Sequence, residues 1–320
     1  MQSYLKTRPV WIQLLLFLGM AFGTWTILSL TAGIIVTKIT GISFLELSNM
    51  KNWDNSNLSN KVAVLRTLQL AQFLGLFLIP SLLFAYFSDP KPDRYIGLKK
   101  PSNHIFWLLG IGAMVISIPL VEYLGMLNRT FVFGPETQRW IQSKEEEALK
   151  LIQFMLSKHT PWQLILNLIF IAAFAAIGEE LFFRGVLQRL FIKAFKNPWV
   201  GILVTAMIFS AFHFQFFGFL PRMALGVLLG MIYWFSGSLL TAIAAHFAYD
   251  ALLVILAYLK PELAADAEAT MFDQSNLASV ALISAGIVGV IVWQMIKRSR
   301  SSYVDVYKHD TTKPHDFTFD

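Results

Sequence analysis

Eight titratable side chains interrupt otherwise apolar stretches of this chain. They are the acids Glu122, Glu179, Glu180 and Asp250, the bases Arg66 and Arg184, and the histidines His213 and His246. Charge within a stretch long enough to cross a bilayer is costly and usually serves a purpose. The first group is Gly178-Glu179-Glu180-Leu181-Phe182-Phe183-Arg184-Gly185. Neighbouring residues on a helix point about 100° apart, so the two carboxylates face different ways. Arg184, four residues after Glu180, shares its face. A Glu180–Arg184 pair neutralises one acid and fixes its rotamer, and Glu179 is left without a cation of its own. Such a division separates a structural carboxylate from a reactive one. The competing reading makes both acids part of a buried ion network that fixes helix packing.

The second group is Phe209-Ser210-Ala211-Phe212-His213, where a lone histidine on an apolar helix has a packing role by default. The phenylalanines around it read as lipid-facing or packing groups. The third is His246-Phe247-Ala248-Tyr249-Asp250, with an imidazole and a carboxylate on one face. There the acid either fixes the tautomer of His246, holds a metal with it, or makes a private packing hydrogen bond. Together, two acids, two histidines and a third acid at similar depth on three spans point to hydrolysis, metal binding or proton relay. Spacing alone does not choose among these.

The elements that must position these groups are membrane helices. Of 320 residues, 56% are hydrophobic and 14% charged, and the mean hydropathy is +0.57. A soluble domain carries about 25% charged residues, so the composition excludes an ordinary soluble enzyme, a disordered chain, a collagen and a coiled coil. An all-α, polytopic transmembrane bundle of about eight spans is expected, at roughly 10–37, 62–87, 105–126, 162–190, 199–217, 221–236, 239–259 and 277–296, with the sixth the weakest. Segment 127–160 has helical periodicity in Ile141, Leu149, Ile152 and Leu156 beside Glu145, Glu146 and Glu147. It reads as an amphipathic helix on the membrane or as a solvated connector. There is no cysteine, which removes disulfides and Cys-ligated metals. The soluble metalloprotease motif HExxH is also absent.

The three motifs EExxxR, FxxxH and HxxxD, in this order on successive spans, resemble the CAAX-protease and bacteriocin-processing (CPBP, or Abi) family of intramembrane proteases. That family includes the type II CAAX prenyl endopeptidases. The resemblance covers about residues 162–259 and implies peptide-bond hydrolysis. Glu179 then corresponds to the glutamate that activates water, Glu180 and Arg184 to its companion acid and that acid's partner, and His213 and His246 to the histidines of the second and third motifs. The family's last position is often Asn, and here it is Asp250. Asn can donate a hydrogen bond to an oxyanion, whereas an ionised Asp only accepts. Asp250 therefore suits a divalent metal, zinc favoured, on His213, His246 and Asp250, with a metal-free glutamate mechanism as the other scheme.

The chain divides into residues 1–161 (helices 1–3 and the amphipathic connector), the protease core 162–259, a last helix within 260–300 and a polar tail 301–320. The net charge of +6 splits into +8 on the side of the termini, zero opposite and −2 in the spans. That is a positive-inside signature. It implies an integral protein of a bacterial cytoplasmic membrane with both termini cytoplasmic, partnered by lipid and a membrane-associated peptide or protein substrate, and not by nucleic acid. A non-catalytic membrane scaffold or immunity protein of the same fold, and a proton-coupled transporter, are the alternatives.

Overall fold

The computed structural model describes residues 4–41, 58–265 and 270–307. All regular structure in these residues is helical. Nine helices make up most of it: α1 (Val10–Thr40), α2 (Lys61–Ser88), α3 (Ile105–Arg129), α4 (Pro135–Leu156), α5 (Pro161–Phe195), α6 (Pro198–Ala211), α7 (Phe219–Ser236), α8 (Leu239–Leu259) and α9 (Gln274–Arg298). Among the described residues, all but α4 and α6 are long and apolar enough to cross a membrane, which gives seven candidate spans.

The expected fifth span, 199–217, is the exception. Helix α6 has 14 residues, about 21 Å of rise against a hydrocarbon core of about 30 Å. It stops because residues 212–218 turn, with Phe214 in the left-handed region at φ 53°. The phenylalanines that continue through this turn hid its end from a hydropathy reading. The sixth span, expected to be the weakest, is a regular 18-residue helix. About half of it is buried against neighbouring helices, which relieves it of the need for a uniformly apolar surface.

Local sequence accounts for most boundaries. Pro161, Pro198 and the side chains before them start α5 and α6. Thr160 accepts from the Gln163 N–H at 3.3 Å, and Asn197 Oδ1 accepts from the Trp199 N–H at 2.9 Å. Asp273 Oδ1 caps α9 through the Ser275 N–H at 3.0 Å. Gly237, at φ 63°, ends α7 with its N–H on the Tyr233 carbonyl.

Helix α5 is the centre of the bundle, and every side chain of Glu180–Gln188 is buried. Helix α5 is wound as a π-helix over Leu168–Ala173 and again over Glu180–Gln188. Wide turns of this kind are rare and concentrate at functional sites. A polar ladder joins α5 to α7: Arg184 Nη2 donates to the Gly226 carbonyl and Gln188 Nε2 to the Gly230 carbonyl, both at 3.1 Å. Gly230 leaves room for the Gln188 rung, since a Cβ there would lie 2.7 Å from Gln188 Oε1, and Gly226 lets α7 pack closely on α6, where a Cβ would lie 3.0 Å from the Ala206 Cβ.

Both described chain ends lie at one end of the bundle. The Leu5 N–H donates to the Phe87 carbonyl at 3.1 Å, and the Tyr307 hydroxyl donates to the Arg189 carbonyl at 2.9 Å. The amphipathic connector is a helix, α4, and it is tied to protein. Ile141 and Met155 are buried while Ile152 is exposed, and Glu145 accepts from the Phe217 N–H at 2.8 Å. The expected tail lies outside the described residues from residue 308 onward.

Candidate active site

The i, i+4 pairs expected from spacing both form. Arg184 Nη1 donates to Glu180 Oε1 at 2.6 Å, with both side chains fully inaccessible. His246 Nε2 lies 3.2 Å from Asp250 Oδ2. A third contact joins the two motifs across helices: His246 Nδ1 is 2.9 Å from Glu180 Oε1. One oxygen of Glu180 thus receives both Arg184 of its own helix and His246 of α8. The result is a continuous chain, Arg184–Glu180–His246–Asp250, linking α5 to α8.

The charge count of this chain is informative. His246 can donate to both carboxylates only as the doubly protonated ring. In that form two cations, Arg184 and His246, face two anions, Glu180 and Asp250. The network is then neutral without Glu179. Arg184 is held further by the Gly226 carbonyl and by the Phe209 ring, whose centroid is 4.6 Å from Cζ. A buried ion pair needs such additional contacts, because attraction alone rarely offsets the desolvation of two ions.

Glu179 stands apart from this network and beside it. Among the described residues no hydrogen bond holds its carboxylate. It is partly accessible while Glu180 is not, and His246, Asp250, Glu180 and Arg184 are all within electrostatic reach. Gly178, one residue earlier, packs so closely on α2 that a Cβ there would meet Phe73 and Phe77 at 3.0 Å. That contact fixes the backbone from which Glu179 projects.

His213 is in the turn after α6. Its Nδ1 is 2.9 Å from the Phe209 carbonyl, a contact that requires the proton on Nδ1 and leaves Nε2 free to accept. The ring packs edge-on to Phe209, with centroids 5.2 Å apart, and Phe209 in turn lies 6.4 Å from the His246 ring. Phe209 is therefore an aromatic spacer between the two histidines, and it also covers Arg184.

Two residues of this region had no local signal in the sequence. Arg222 on α7 donates through Nη2 to Gln215 Oε1, and its Nη1 is buried without an acceptor. Glu145, Glu179 and Tyr249 are within its electrostatic reach, and it lies within that of His213. It lies in the first turn of α7, just after the turn over residues 212–218. Gln215 donates to Glu145 of α4 at 3.2 Å, so α4 is fastened to the same turn that carries His213.

The remaining charges within spans have packing partners. Arg66 Nη2 donates to Gln163 Oε1 and Asn167 Oδ1 at 2.8 and 2.9 Å, tying α2 to α5. Glu122 accepts from the Met271 N–H at 2.9 Å, anchoring the chain before α9.

The expected metal set of His213, His246 and Asp250 does not gather as a cage. Both ring nitrogens of His246 contact carboxylates. Among the described residues no three His, Asp or Glu side chains are grouped as a metal would require.

Comparison with known proteins bears on the same segment. Residues 161–252 match the family model described as type II CAAX prenyl endopeptidase Rce1-like. The chain therefore carries an Rce1-like domain, an all-helical module of the CAAX protease (CPBP) family, and that domain contains Glu179, Glu180, Arg184, His213, His246 and Asp250. An uncharacterized protein of Bacillus subtilis (strain 168), YpbD, is 34% identical over 89 residues, 27% of this chain and 42% of that protein. The chain thus spans less than half the length of that relative. No solved structure matches.

Proposed function

We propose that this protein is an intramembrane endopeptidase in which Glu179 activates water for hydrolysis of a peptide bond in a membrane-associated peptide or protein. The observation that carries this reading is the asymmetry of the two adjacent carboxylates. Glu180 is buried and bound to Arg184 and His246, while Glu179, next in sequence, has no hydrogen-bonding partner among the described residues and remains accessible. The Rce1-like match supports a peptidase.

In the proposed reaction the Glu179 carboxylate removes a proton from water while His213 Nε2 accepts the second hydrogen bond and orients it. The hydroxide formed attacks the carbonyl carbon of the scissile peptide. The tetrahedral oxyanion is met by the cation at Arg222, while the His246 ring, with both nitrogens held by Glu180 and Asp250, adds its charge nearby without donating to the oxyanion. Collapse breaks the C–N bond, and the amine leaves with the proton carried by Glu179. Arg184 and Asp250 touch no reacting atom and act as positioning residues. No step here is routed through a metal. The zinc scheme makes a different demand, since it needs a ring nitrogen of His246 released from a carboxylate.

We place both termini on the cytoplasmic side, because the Lys/Arg bias gathers at the bundle end that holds Leu5 and Tyr307. The decisive experiment compares membrane peptides in cells carrying the wild type with those in cells carrying only Glu179→Gln. Accumulation of defined peptides in the variant, and their cleavage by purified wild type in proteoliposomes treated with chelator, is expected. Identical peptide profiles, or cleavage by both proteins, would overturn the assignment.

A further inference from the structure

At the end of the bundle that holds both described chain ends lies a cavity of about 910 Å³, separate from the cluster around Glu180. Five stretches distant in sequence build it: the residues before α1, the α2–α3 connection, the end of α5, the end of α7 and the segment after α9. Its basic lining is Lys6, Arg94, Lys99, Lys100, Arg189 and Arg300. Among the described residues, the acids that line it with them are Asp89 and Asp305. Each acid already serves a local turn: Asp89 accepts from the Lys91 N–H and Asp305 from the Ser302 hydroxyl.

Arg189 lines this cavity from α5. Its guanidinium carbon is 5.0 Å from the centroid of Tyr95 and 5.6 Å from that of Tyr307. The rings hold the fork in place without neutralising it. Arg189 Nε is buried and has no acceptor. No carboxylate lies within ion-pair distance of Arg189 among the described residues. The wall opposite is rigid: the Leu239 N–H donates to the Gly97 carbonyl at 2.8 Å and the Ser238 hydroxyl to the Lys99 carbonyl at 2.5 Å. Gly97 sits at φ 73°, with the Tyr233 ring 3.0 Å from where a Cβ would be. Lys99 and Lys100 are thereby presented on a fixed turn. Ile192, Trp234 and Phe235 add an apolar side to the same cavity.

A positive-inside bias explains basic loops, but not their convergence on one cavity that an arginine fork held between two tyrosines also lines. From this geometry we infer that the cavity binds the phosphate of an anionic phospholipid headgroup. The fork at Arg189 and the surrounding ammonium and guanidinium groups match a phosphate in charge and hydrogen bonding. The cavity lies at the ends of α2, α5, α7 and α9, which is headgroup depth, where basic pockets between helices take anionic lipids. The apolar wall favours a lipid over a free phosphate, since it provides for the glycerol and first acyl carbons.

The test is native mass spectrometry of the full chain in detergent, titrated with dioleoyl phosphatidylglycerol or, separately, dioleoyl phosphatidylcholine. The variant is Lys99→Gln/Lys100→Gln/Arg300→Gln, all exposed positions outside the proposed catalytic machinery. The wild type should retain one phosphatidylglycerol at least tenfold more tightly than phosphatidylcholine, and the variant should lose that preference. Arg189→Lys should keep the charge yet weaken retention several-fold, because a point charge replaces the fork. Glycerol 3-phosphate at millimolar concentration should not displace the lipid. Displacement would overturn the lipid assignment in favour of a soluble phosphate compound. Equal retention of the two lipids by the wild type, or of phosphatidylglycerol by wild type and triple variant, would overturn the site itself.

Discussion

Two arginines five residues apart on α5 are held in opposite ways. Arg184 has a carboxylate at 2.6 Å, a backbone carbonyl at 3.1 Å and a covering ring. Arg189 has two flanking tyrosines, a cavity beside it and no carboxylate within ion-pair distance among the described residues. The Nε of each is buried without an acceptor, so the difference lies in the carboxylate alone. The first charge is paired within the fold, and its removal should be felt throughout the bundle. The second, on the inference above, is paired by an anion supplied from elsewhere. The same contrast separates Glu180, whose Oε1 receives both Arg184 and His246, from Glu179, whose carboxylate has no hydrogen-bonding partner among the described residues. On the reading proposed above, the ion-paired residue of each pair supports structure and the other meets a substrate or ligand.

Substitutions can break or sharpen this contrast. The largest effect on stability is expected from Arg184→Ala, which leaves Glu180 buried beside a single histidine. A loss of about 3–5 kcal/mol follows from stranding one member of a buried pair, seen as a collapse of thermal stability in detergent and of protein level in cells. By contrast, Arg189→Gln removes two cation–π contacts and should cost about 1 kcal/mol in the absence of anionic lipid. Equal losses at the two positions would erase the distinction.

Asp250→Asn is a finer probe. The amide oxygen can still accept from His246 Nε2, so folding should persist and cleavage should fall by no more than about tenfold, equivalent to about 1.4 kcal/mol. Peptide cleavage rate and metal content, measured on the same sample, check this. A total loss of activity accompanied by loss of a bound metal would favour Asp250 as a ligand.

The smallest effect is expected at Asp273, the exposed cap of α9. Hydrogen bonding from the Ser275 N–H holds its carboxyl below the usual aspartate value. A depressed value means that the ionised form stabilises the fold. Its contribution is therefore full above the ordinary range, about 3.9, and is lost as pH falls through the lower value in the folded chain. Asp273→Ala should lower the thermal midpoint slightly at neutral pH and make no difference in strong acid, where the wild type has lost the same contribution.

Local pairings were legible in the sequence. Glu180–Arg184 and His246–Asp250 follow from four-residue spacing on a helix, and the periodicity within 127–160 offered a helix or a solvated connector, of which the structure has the helix, Pro135–Leu156. What joins distant segments was not legible. The Glu180–His246 contact spans 66 residues, and nothing near either residue announces it. The burial of Arg222 depends on α6 stopping early. That stop is hidden by the run of phenylalanines, whose hydropathy is the same in a helix and in a turn. The basic cavity was visible only as a charge bias, because its lining comes from five separate stretches. Seven candidate spans and a short α6, where eight ordinary spans were expected, likewise arise from packing rather than from composition.

The most direct test of the central claim sets Glu179→Gln beside wild type in one proteoliposome assay, using a peptide that the wild type cleaves. The substitution touches no hydrogen bond of the Arg184–Glu180–His246–Asp250 chain, so the thermal midpoint should be unchanged. Turnover should fall by at least about 100-fold, the usual contribution of a general base. A folded Glu179→Gln protein that cleaves at close to the wild-type rate would contradict the account.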